Sequence, residues 1–338
     1  MRIEVLSEPQ AQGWTEFVTA SPGGLFYHTL RYRDLLVELL GCVPHYLVAC
    51  EDDRVAGCLP IMIAEGRFGR VLNSLPYYGS HGGVLASSGA AADALWREYR
   101  ALAAGVAAAT VILNPLLPEP PDLASSYVDE RAGFMTALDD LADPARDLLD
   151  RIDGSARRNI RKAQSLGIEA YVDNEQLPFL AALHRDNMAA LGGAAKTPAF
   201  FAALPRRFRA GTDYDLYVAR LGRELVAALL VFYFNGTVEY FVPAVRHENR
   251  GDQPLAAILW RALGDAARRG FKRWNWGGCW PSQVSLQRFK RKWGGLERRY
   301  RYHVTLNNRA LLAATPDELA ASYPGFYVLP YRALATAA

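Results

Sequence analysis

The sequence predicts an α/β fold built from two copies of one unit, in which antiparallel strands precede a loop, a helix and a further strand. Three observations indicate this fold. The 338 residues suffice for one large domain or two ordinary ones, and half of them are hydrophobic. The second half of the chain carries strand and helix patterns in this order, and the first half carries a fainter version. Such a composition excludes intrinsic disorder.

The second half shows the repeated unit most clearly. Three strands are expected at 214–221, 225–234 and 237–245, joined by the tight turns "GRE" and "NG". Asn-Gly is a strong hairpin signal because both residues tolerate the dihedrals of a two-residue turn. After the loop "RHENRGDQP", Pro254 should open a helix that stops at Gly270, and "FKRWNW" should form the next strand.

The first half repeats the order less distinctly. The segment "HYLVACEDDRVAGCLPIMIAE" predicts a hairpin, residues 90–106 predict a helix, and "AATVILNPL" predicts a buried strand. We therefore expect two domains. The first spans 1–145 and the second spans 146–304.

A helix expected at about 144–166 lies between the two halves. Four of its cations fall on one face of that helix: Arg157, Arg158, Arg161 and Lys162. Ile160, Ala163 and Leu166 fall on the opposite, apolar face. The basic face is interpreted either as a solvated helix surface or as a contact for an anionic partner, since four like charges repel one another.

Cysteine spacing and charge exclude several classes of protein. The four cysteines form no C-x-x-C pair, which argues against a structural zinc site or a disulfide framework. A net charge of +3 is too small for general nucleic-acid binding, so no DNA partner is expected. The N-terminus lacks the apolar stretch of a signal peptide, and no run reaches the ~18 apolar residues of a membrane span. We expect a cytoplasmic protein, with peripheral membrane contact left open.

Four segments together resemble the Fem-type (FemAB-like, methicillin-resistance-type) aminoacyl transferases, a group with a tandem GNAT acyltransferase fold. They stand in that family's order and at its rough spacing: "LPYYGSHGGV" (75–84), "SARRNIRKAQSLGI" (155–168), "QPLAAILWRALGDAARRGFKRWNWGG" (253–278) and "SLQRFKRKWGG" (285–295). The resemblance implies two GNAT-like domains, each a mixed, largely antiparallel sheet flanked by helices. It also implies that the C-terminal tail, 305–338, packs on the first domain. This chain lacks the long inserted helical arm that tRNA-binding members often carry.

The resemblance also implies a function. It is the transfer of an activated acyl or aminoacyl group onto an amine of a sugar-, peptide- or lipid-linked acceptor, in cell-envelope, peptidoglycan, polysaccharide or natural-product assembly. No tightly bound cofactor or metal is expected; the co-substrate is acyl-CoA or aminoacyl-tRNA. A third alternative is a non-catalytic GNAT-fold protein that binds a phosphorylated ligand or RNA, because fold alone does not establish chemistry.

The loop "RHENRG" is the candidate donor-binding segment. GNAT acetyltransferases hold the CoA pyrophosphate on an [RQ]-x-x-G-x-[GA] loop before a helix, and Arg246, Asn249, Arg250 and Gly251 occupy the corresponding stretch. Asn249 replaces the middle glycine and is expected to tolerate left-handed dihedrals. Asp252 opposes phosphate binding by its charge, so an ordinary strand-to-helix loop is the alternative.

Acyl transfer needs a base for the attacking amine and a cation or donor for the oxyanion. Glu239, His247 and Glu248 are the candidate bases near the loop. Phe289-Lys290 corresponds to the "FK" motif of the family. This resemblance implies that Lys290 lies in the cleft of the second domain. A cation there could stabilise a diphosphate or the developing oxyanion, so Lys290 is a predicted catalytic residue. Phe289, Arg291 and Lys292 are predicted to bind the substrate. Arg288, Arg291 and Lys292 would add a field that attracts phosphate.

The glycine-flanked segment "LPYYGSHGGV" is the candidate acceptor-binding loop. Glycines permit close approach of a ligand to the backbone, and the resemblance implies a position beside the acceptor cleft. The predicted binding residues are Tyr77, Tyr78, Ser80 and His81. The alternative is a plain loop with Tyr77 in the core.

Overall fold

The protein is described here by a computed structural model that covers residues 1–77, 79–120 and 122–334. The chain forms two compact units. The first unit comprises Met1–Gly133 and Arg299–Ala338, and the second comprises Phe134–Arg298. The domain limits expected from the sequence remain a prediction, because compactness alone does not show which segment folds independently.

The strands are β1 (Arg2–Val5), β2 (Val43–Pro44), β3 (Leu47–Glu51), β4 (Arg54–Leu59), β5 (Met62–Gly66), β6 (Gly69–Asn73), β7 (Leu85–Ala86), β8 (Ala108–Ile112), β9 (Tyr127–Ala137), β10 (Glu169–Val172), β11 (Tyr214–Leu221), β12 (Glu224–Phe234), β13 (Thr237–Val245), β14 (Arg273–Cys279) and β15 (Leu296–Leu306). The α-helices are α1 (Ala11–Ala20), α2 (Leu30–Leu40), α3 (Gly89–Ala104), α4 (Pro144–Arg151), α5 (Gly154–Ser165), α6 (Leu177–Ala190), α7 (Pro198–Arg207), α8 (Pro254–Arg268), α9 (Val284–Lys292) and α10 (Pro316–Ser322). The limits of the two units fall inside β9 and β15.

In the first unit, one sheet has the strand order β1-β3-β4-β7. A second set of hydrogen-bonded strands has the order β15-β8-β6-β5-β2. Helix α3 buries Leu95 and Tyr99 in a core that includes Leu47, Leu59 and Val111. The C-terminal segment packs on β6 and β8 through a separate hydrophobic cluster. This unit is therefore completed by residues from both ends of the chain.

In the second unit, the strand order is β10-β11-β12-β13-β14. The neighbours pair antiparallel except β13 and β14, which are parallel. Helix α6 packs on β12 and β13, and α8 packs on β10 to β13. The observed architecture confirms the predicted α/β class, with largely antiparallel mixed sheets flanked by helices.

The predicted helix at 144–166 is wrong in one respect, because the structure divides it into α4 and α5. The helix is interrupted at Ile152 and Asp153. There the Asp153 carboxylate accepts a hydrogen bond from the Ser155 N–H at 2.7 Å and caps α5. An aspartate is a preferred N-cap residue because it satisfies an otherwise unpaired helical N–H. Leu166, expected on the apolar face, follows the last helical turn and is exposed.

Candidate functional site

The second unit contains a cavity of about 690 Å³. Its walls come from the second part of β13, the first turn of α8, α9, one side of α5 and the end of α6 with the following loop. The lining is largely apolar, with a small number of polar side chains among aliphatic and aromatic ones. This is the usual composition of a small-molecule site in a protein.

The pairing between two adjacent strands ends before the part of β13 that lines the cavity. The parallel pairing of β13 with β14 covers only Thr237 to Glu239 on β13, although β13 continues to Val245. On its other side β13 pairs with β12, and Val231 and Leu230 face Tyr240 and Val242, so Phe241 is the extra residue of a β-bulge. A bulge bends a strand and redirects its side chains. The remainder of β13 therefore lies along the cavity wall.

The C-terminal end of β13 is hydrogen-bonded to a side chain from α6. The Asn187 amide donates to the Val245 carbonyl at 2.9 Å and accepts from the Val245 N–H at 3.0 Å. This pair satisfies the strand backbone where a neighbouring strand would otherwise do so. Asn187 itself lines the cavity, and so links α6 to the cavity wall.

The charged groups in the lining all have the same sign. Among the described residues that line the cavity, four are Lys or Arg and none is Asp or Glu: Lys196, Arg250, Arg288 and Lys292. Arg250 and Arg288 are exposed, which puts them at the opening. The first turn of α8, from Pro254, also faces the cavity, and a helix N-terminus carries partial positive charge. The electrostatics of the cavity favour an anionic ligand.

Sequence reasoning missed a histidine and a lysine in this cavity. The main-chain N–H of Lys196 donates to Nε2 of His184 at 3.1 Å. Burial, together with the Lys196 charge, lowers the pKa of His184 to about 4. The Nζ atom of Lys196 lies 4.6 Å from the ring centroid of Phe241 and 5.3 Å from that of Phe200. Burial lowers the pKa of Lys196 to about 7.

One compositional signal could have drawn attention to Lys196. Of the 38 Lys and Arg residues in the chain, only five are Lys. Arginine stays protonated in proteins, whereas a buried lysine readily loses its proton. Lys196 is therefore one of only five positions in the chain whose cation can readily lose its proton when buried.

The predicted donor loop is a short 3-10 helix, His247–Asp252, in which the Asn249 N–H donates to the Arg246 carbonyl at 3.1 Å. Asn249 is not in the left-handed region that it was expected to tolerate. Gln253, at the junction with α8, does adopt that conformation, with φ of 64°. Binding of a pyrophosphate by this loop stays a prediction.

Only one of the four predicted donor-loop residues, Arg250, lines the cavity. The Arg246 guanidinium donates to the Leu225 carbonyl at 2.8 Å and packs on Phe179. The Asn249 amide donates to Asp252 at 3.1 Å, so the carboxylate that was expected to oppose phosphate is engaged within the loop. Gly251 is exposed, and an added Cβ there would meet nothing within 4 Å.

Lys290 is buried outside the cavity lining. Its Nζ donates to the carbonyls of Gly277 and Gly278 at 2.9 and 3.2 Å, at the end of β14. Burial lowers its pKa to about 8. These contacts join α9 to β14 and give the ammonium a structural role; the catalytic role expected from the family motif remains a prediction.

The neighbours of Lys290 on α9 divide between the cavity and the surface. Phe289 and Lys292 line the cavity. Arg291 forms an ion pair with Glu297 and packs over the ring of Phe134. Helix α9 therefore supplies the cavity with a ring and two cations, the second of which is Arg288.

None of the three predicted bases lines the cavity. Glu239 is 1% exposed and accepts a hydrogen bond from the Asn275 amide at 2.8 Å, at the last residue pair of β13 and β14. His247 and Glu248 are exposed, and Glu248 is paired with Arg246 at 3.8 Å. Their assignment as bases stays a prediction.

The predicted acceptor loop belongs to the first unit. Tyr77 has φ of 62°, and its N–H donates to the Gly325 carbonyl at 2.7 Å. Ser80 and His81 are buried, and His81 packs edge-on against Tyr300. Tyr78 lies outside the described residues. These contacts fit the alternative of a packed loop, and acceptor binding by this segment stays a prediction.

The basic face of α5 is only partly in contact with protein. The Arg157 guanidinium donates to the Leu149 carbonyl at 3.3 Å, whereas Arg158, Arg161 and Lys162 are exposed. The opposite side of α5 contributes Ala156 and Asn159 to the cavity. The helix thus presents cations outward and small or polar groups to the cavity.

Two features are absent from the part of the chain that the structure describes. No group of three or more His, Cys, Asp or Glu residues could hold a metal ion. No helix there has both the length and the apolar character needed to cross a membrane.

Comparison with known proteins identifies the fold. Residues 153–313, which include every residue lining the cavity, match the family model for the acetyltransferase (GNAT) domain. No curated protein matches the chain. FemX is similar in structure, with a TM-score of 0.68, 13% identity and coverage of 92% of this chain and 98% of FemX.

Two further solved structures are similar over most of this chain. The C-terminal domain of a putative lysylphosphatidylglycerol synthetase from Agrobacterium fabrum has a TM-score of 0.58 and 12% identity, covering 95% of this chain and 99% of its own. A tandem GNAT protein from the clavulanic acid biosynthesis pathway has a TM-score of 0.53 and 13% identity, covering 90% and 98%. At these identities the likeness shows the fold alone, and that fold is the Fem-type tandem GNAT fold predicted from the four sequence segments.

Proposed function

We propose that the protein is an N-acyltransferase that moves an acyl group from a CoA thioester onto an amine in the cavity of the second unit. The observation that carries the proposal is the separation of β13 from β14 beside a lining with four cations and no carboxylate among its described residues. The match of residues 153–313 to the acetyltransferase (GNAT) domain supports the reaction class.

The charges of the cavity favour a donor that carries phosphate. Arg250, Arg288 and Lys292 lie where a phosphate group could bind, and the N-terminus of α8 faces the same space. Cations and helix N-termini both stabilise phosphate oxygens. The apolar part of the lining suits the pantetheine arm of CoA and its acyl group.

The reaction needs only a few groups from the protein. The acceptor nitrogen attacks the thioester carbonyl carbon, a C–N bond forms, and the C–S bond breaks to release the CoA thiol. The nitrogen loses one proton, which must first be accepted by a base and finally reach the sulfur. Backbone groups of β13 beyond Glu239 lie along the cavity. Because β13 no longer pairs with β14 there, we propose that these groups bind the thioester.

The acceptor is proposed at a coarser level. The motifs in the sequence favour an amine on a sugar-, peptide- or lipid-linked intermediate of peptidoglycan, polysaccharide or natural-product assembly. The similar folds of FemX and of a putative lysylphosphatidylglycerol synthetase support a role connected with the cell envelope. A cytoplasmic location fits a CoA-dependent reaction and is part of the same proposal.

A second donor is supported by a specific observation. Arg158, Arg161 and Lys162 are exposed on one side of α5, and such a surface attracts the phosphate backbone of RNA. Aminoacyl-tRNA is therefore the alternative donor. In that case the exposed cations of α5 would contribute to donor affinity and the cavity would take only the aminoacyl end.

The proposal is tested by a thermal-shift titration with CoA and acetyl-CoA at low salt, with ATP as a phosphate control. A ligand at 100 times its Kd adds about 2.7 kcal/mol to the stability of the folded state. We expect CoA to raise the melting temperature more than ATP does. Release of the CoA thiol is then followed with acetyl-CoA and three amines: a nucleotide-linked amino sugar, a short peptide and a lipid-linked amino sugar.

The cavity is tested with matched variants. Arg288→Ala and Lys292→Ala should each weaken CoA binding by about tenfold, as expected for the loss of one charged contact to phosphate. Arg223→Ala is the control, because Arg223 is exposed in the turn between β11 and β12 and does not line the cavity. Stabilisation by charged tRNA with no response to CoA would replace the donor, and CoA binding without thiol release on any amine would favour a non-catalytic binding protein.

A further inference from the structure

We propose that Lys196 is the residue that accepts the proton from the attacking amine in this cavity, and that His184 is the residue that positions it. The inference rests on the acyl-transfer function proposed above and assigns the base that the sequence motifs did not identify. It is carried by where the Lys196 amine lies, by what fixes its main chain and by the chemistry of the surrounding side chains.

The main chain of Lys196 is attached to a rigid element. Lys196 lies in the segment between α6 and α7, and its N–H donates to Nε2 of His184, which belongs to α6. His184 is 8% exposed and packs edge-on against Phe201 of α7. Because Nε2 accepts this hydrogen bond, the ring is neutral with its proton on Nδ1. His184 therefore cannot take a proton at Nε2 without losing the bond that holds the segment.

The side chain of Lys196 extends to the place where the strands separate. Its Nζ is 4.6 Å from the centroid of Phe241, the extra residue of the β13 bulge, and 5.3 Å from Phe200 on α7. The two rings are themselves stacked at 5.8 Å. The amine is thus beside the first part of β13 that no longer pairs with β14, which is where the proposed function puts the reacting carbonyl.

The groups around this lysine are basic or aromatic. The titratable and charged groups that share the described lining are His184, Arg250, Arg288 and Lys292, all of them basic. Burial lowers the pKa of Lys196 to about 7, which is suited to accepting and returning a proton near neutral pH. An arginine at this position would stay charged.

The proposed step is balanced as follows. The neutral acceptor nitrogen attacks the thioester carbon, and the resulting ammonium nitrogen of the tetrahedral intermediate transfers a proton to Nζ of Lys196. The intermediate collapses as the C–S bond breaks and its electron pair moves to sulfur. The Lys196 ammonium then protonates the thiolate, so the lysine is neutral again when the amide and the CoA thiol leave.

The first test does not depend on turnover. The intact protein is labelled competitively with acetic anhydride between pH 5 and pH 10, and each lysine is quantified by mass spectrometry. Lys272, exposed at the start of β14, is the internal reference. We expect the Lys196 amine to titrate near pH 7 and its labelling to fall at least fivefold when CoA is present. Titration near the ordinary lysine value of about 10.4 would overturn the inference, even if CoA binds.

The second test asks whether the amine itself is needed. Lys196→Met should lower kcat/KM at least about 100-fold, since a positioned base contributes at least this much. Lys196→Arg should be equally inactive, although it keeps the charge. Lys272→Met should match the wild-type protein. Lys196→Cys treated with bromoethylamine regains an amine of nearly the same length and should recover most of the activity, because the four native cysteines are buried.

The pH profile separates a base from a purely structural residue. In the wild-type protein, kcat/KM should rise with pH up to about 7 and then level, because the neutral lysine is the active form. The His184→Ala variant loses the hydrogen bond that holds the segment containing Lys196. It should have a lower kcat, whereas its stabilisation by CoA should stay within twofold of that of the wild-type protein. An active Lys196→Met variant with an unchanged profile would overturn the inference while leaving the acyltransferase proposal intact. A wild-type protein that fails to bind CoA would instead contradict the proposed function itself.

Discussion

Lys196 and Lys290 show how one type of side chain acquires two different properties within a single unit. Lys290 is buried and Lys196 is half-buried, and burial lowers their pKa values to about 8 and about 7, respectively. Lys290 donates to two main-chain carbonyls, which stabilise its ammonium. Lys196 lies against two aromatic rings in a lining without a described carboxylate. The first environment suits a structural cation, and the second suits a group that exchanges a proton.

The structural role of Lys290 leads to a prediction about stability. Lys290→Ala should lower the free energy of unfolding by about 2 kcal/mol, because the Gly277 and Gly278 carbonyls lose a charged donor and the side chain leaves a void. Lys292→Ala is the matched control on the same helix and should change stability by less than about 0.5 kcal/mol. Urea unfolding of the purified proteins measures both. An unchanged midpoint for Lys290→Ala would show that these contacts contribute nothing to stability.

At the level of elements, one short turn of the first unit is held by a buried histidine. His28 ends the 3-10 turn Phe26–His28, where its Nδ1 accepts from the Leu25 N–H at 3.2 Å and its Nε2 lies 3.3 Å from the Gly83 carbonyl. Both ring nitrogens are therefore used by a neutral ring. Burial lowers the pKa of His28 to about 4, from an ordinary value of 6.5.

This turn predicts a pH dependence of stability. Because the folded pKa lies below the unfolded one, the contribution is complete above pH 6.5 and is lost as the pH falls towards 4. Between pH 7 and pH 5 the group should cost about 2 kcal/mol of unfolding free energy by proton linkage. His28→Gln should be less stable at pH 7 and should lose about 2 kcal/mol less than the wild-type protein over this interval.

The control for the pH experiment is His247→Gln, since His247 is exposed on the turn before α8. Its loss of stability between pH 7 and pH 5 should equal that of the wild-type protein. Urea unfolding at the two pH values gives all three differences. If His28→Gln kept the full wild-type loss, the protonation of His28 would not be the cause.

On the scale of the whole molecule, the first unit depends on residues that are distant in sequence. The segment after β15 contributes Leu311, Tyr323 and Leu329 to a cluster with Val71 of β6 and Ala108 of β8. The Tyr323 hydroxyl accepts from the Phe68 N–H at 3.1 Å and donates to the Gly69 carbonyl at 2.7 Å. More than 250 residues separate these partners, so the unit can be complete only after the whole chain has been made.

This dependence predicts that a single hydroxyl in the tail stabilises the first unit. Tyr323→Phe keeps the buried ring but removes both hydrogen bonds, and should lower the unfolding free energy by about 1–2 kcal/mol. Tyr331→Phe is the control, because that ring is 55% exposed and its change should stay below about 0.5 kcal/mol. Thermal unfolding followed by circular dichroism compares them, and equal melting temperatures would mean that the tail hydroxyl does not support the unit.

The sequence by itself determined the order of the elements and the class of fold. Alternating hydrophobic residues, the Asn235-Gly236 turn and Pro254 predicted β11, β12, β13 and α8 because each of these signals acts over a few neighbouring residues. The four family-like segments extended this local information to the tandem fold. The break at Asp153 was missed, although Asp-Gly-Ser is a capping pattern, because the amphipathic pattern continues across it.

Only the tertiary structure decided which side chains share the cavity. Of the residues to which the sequence pointed, the cavity lining contains Arg250, Phe289 and Lys292 but not Lys290, and it also contains His184 and Lys196. These last two residues belong to no motif, and a separation of twelve positions says nothing about a hydrogen bond between them. Their contact depends on how α6 and α7 pack on β13. The pKa of Lys196 follows from the burial produced by that packing, which no local pattern in the chain contains.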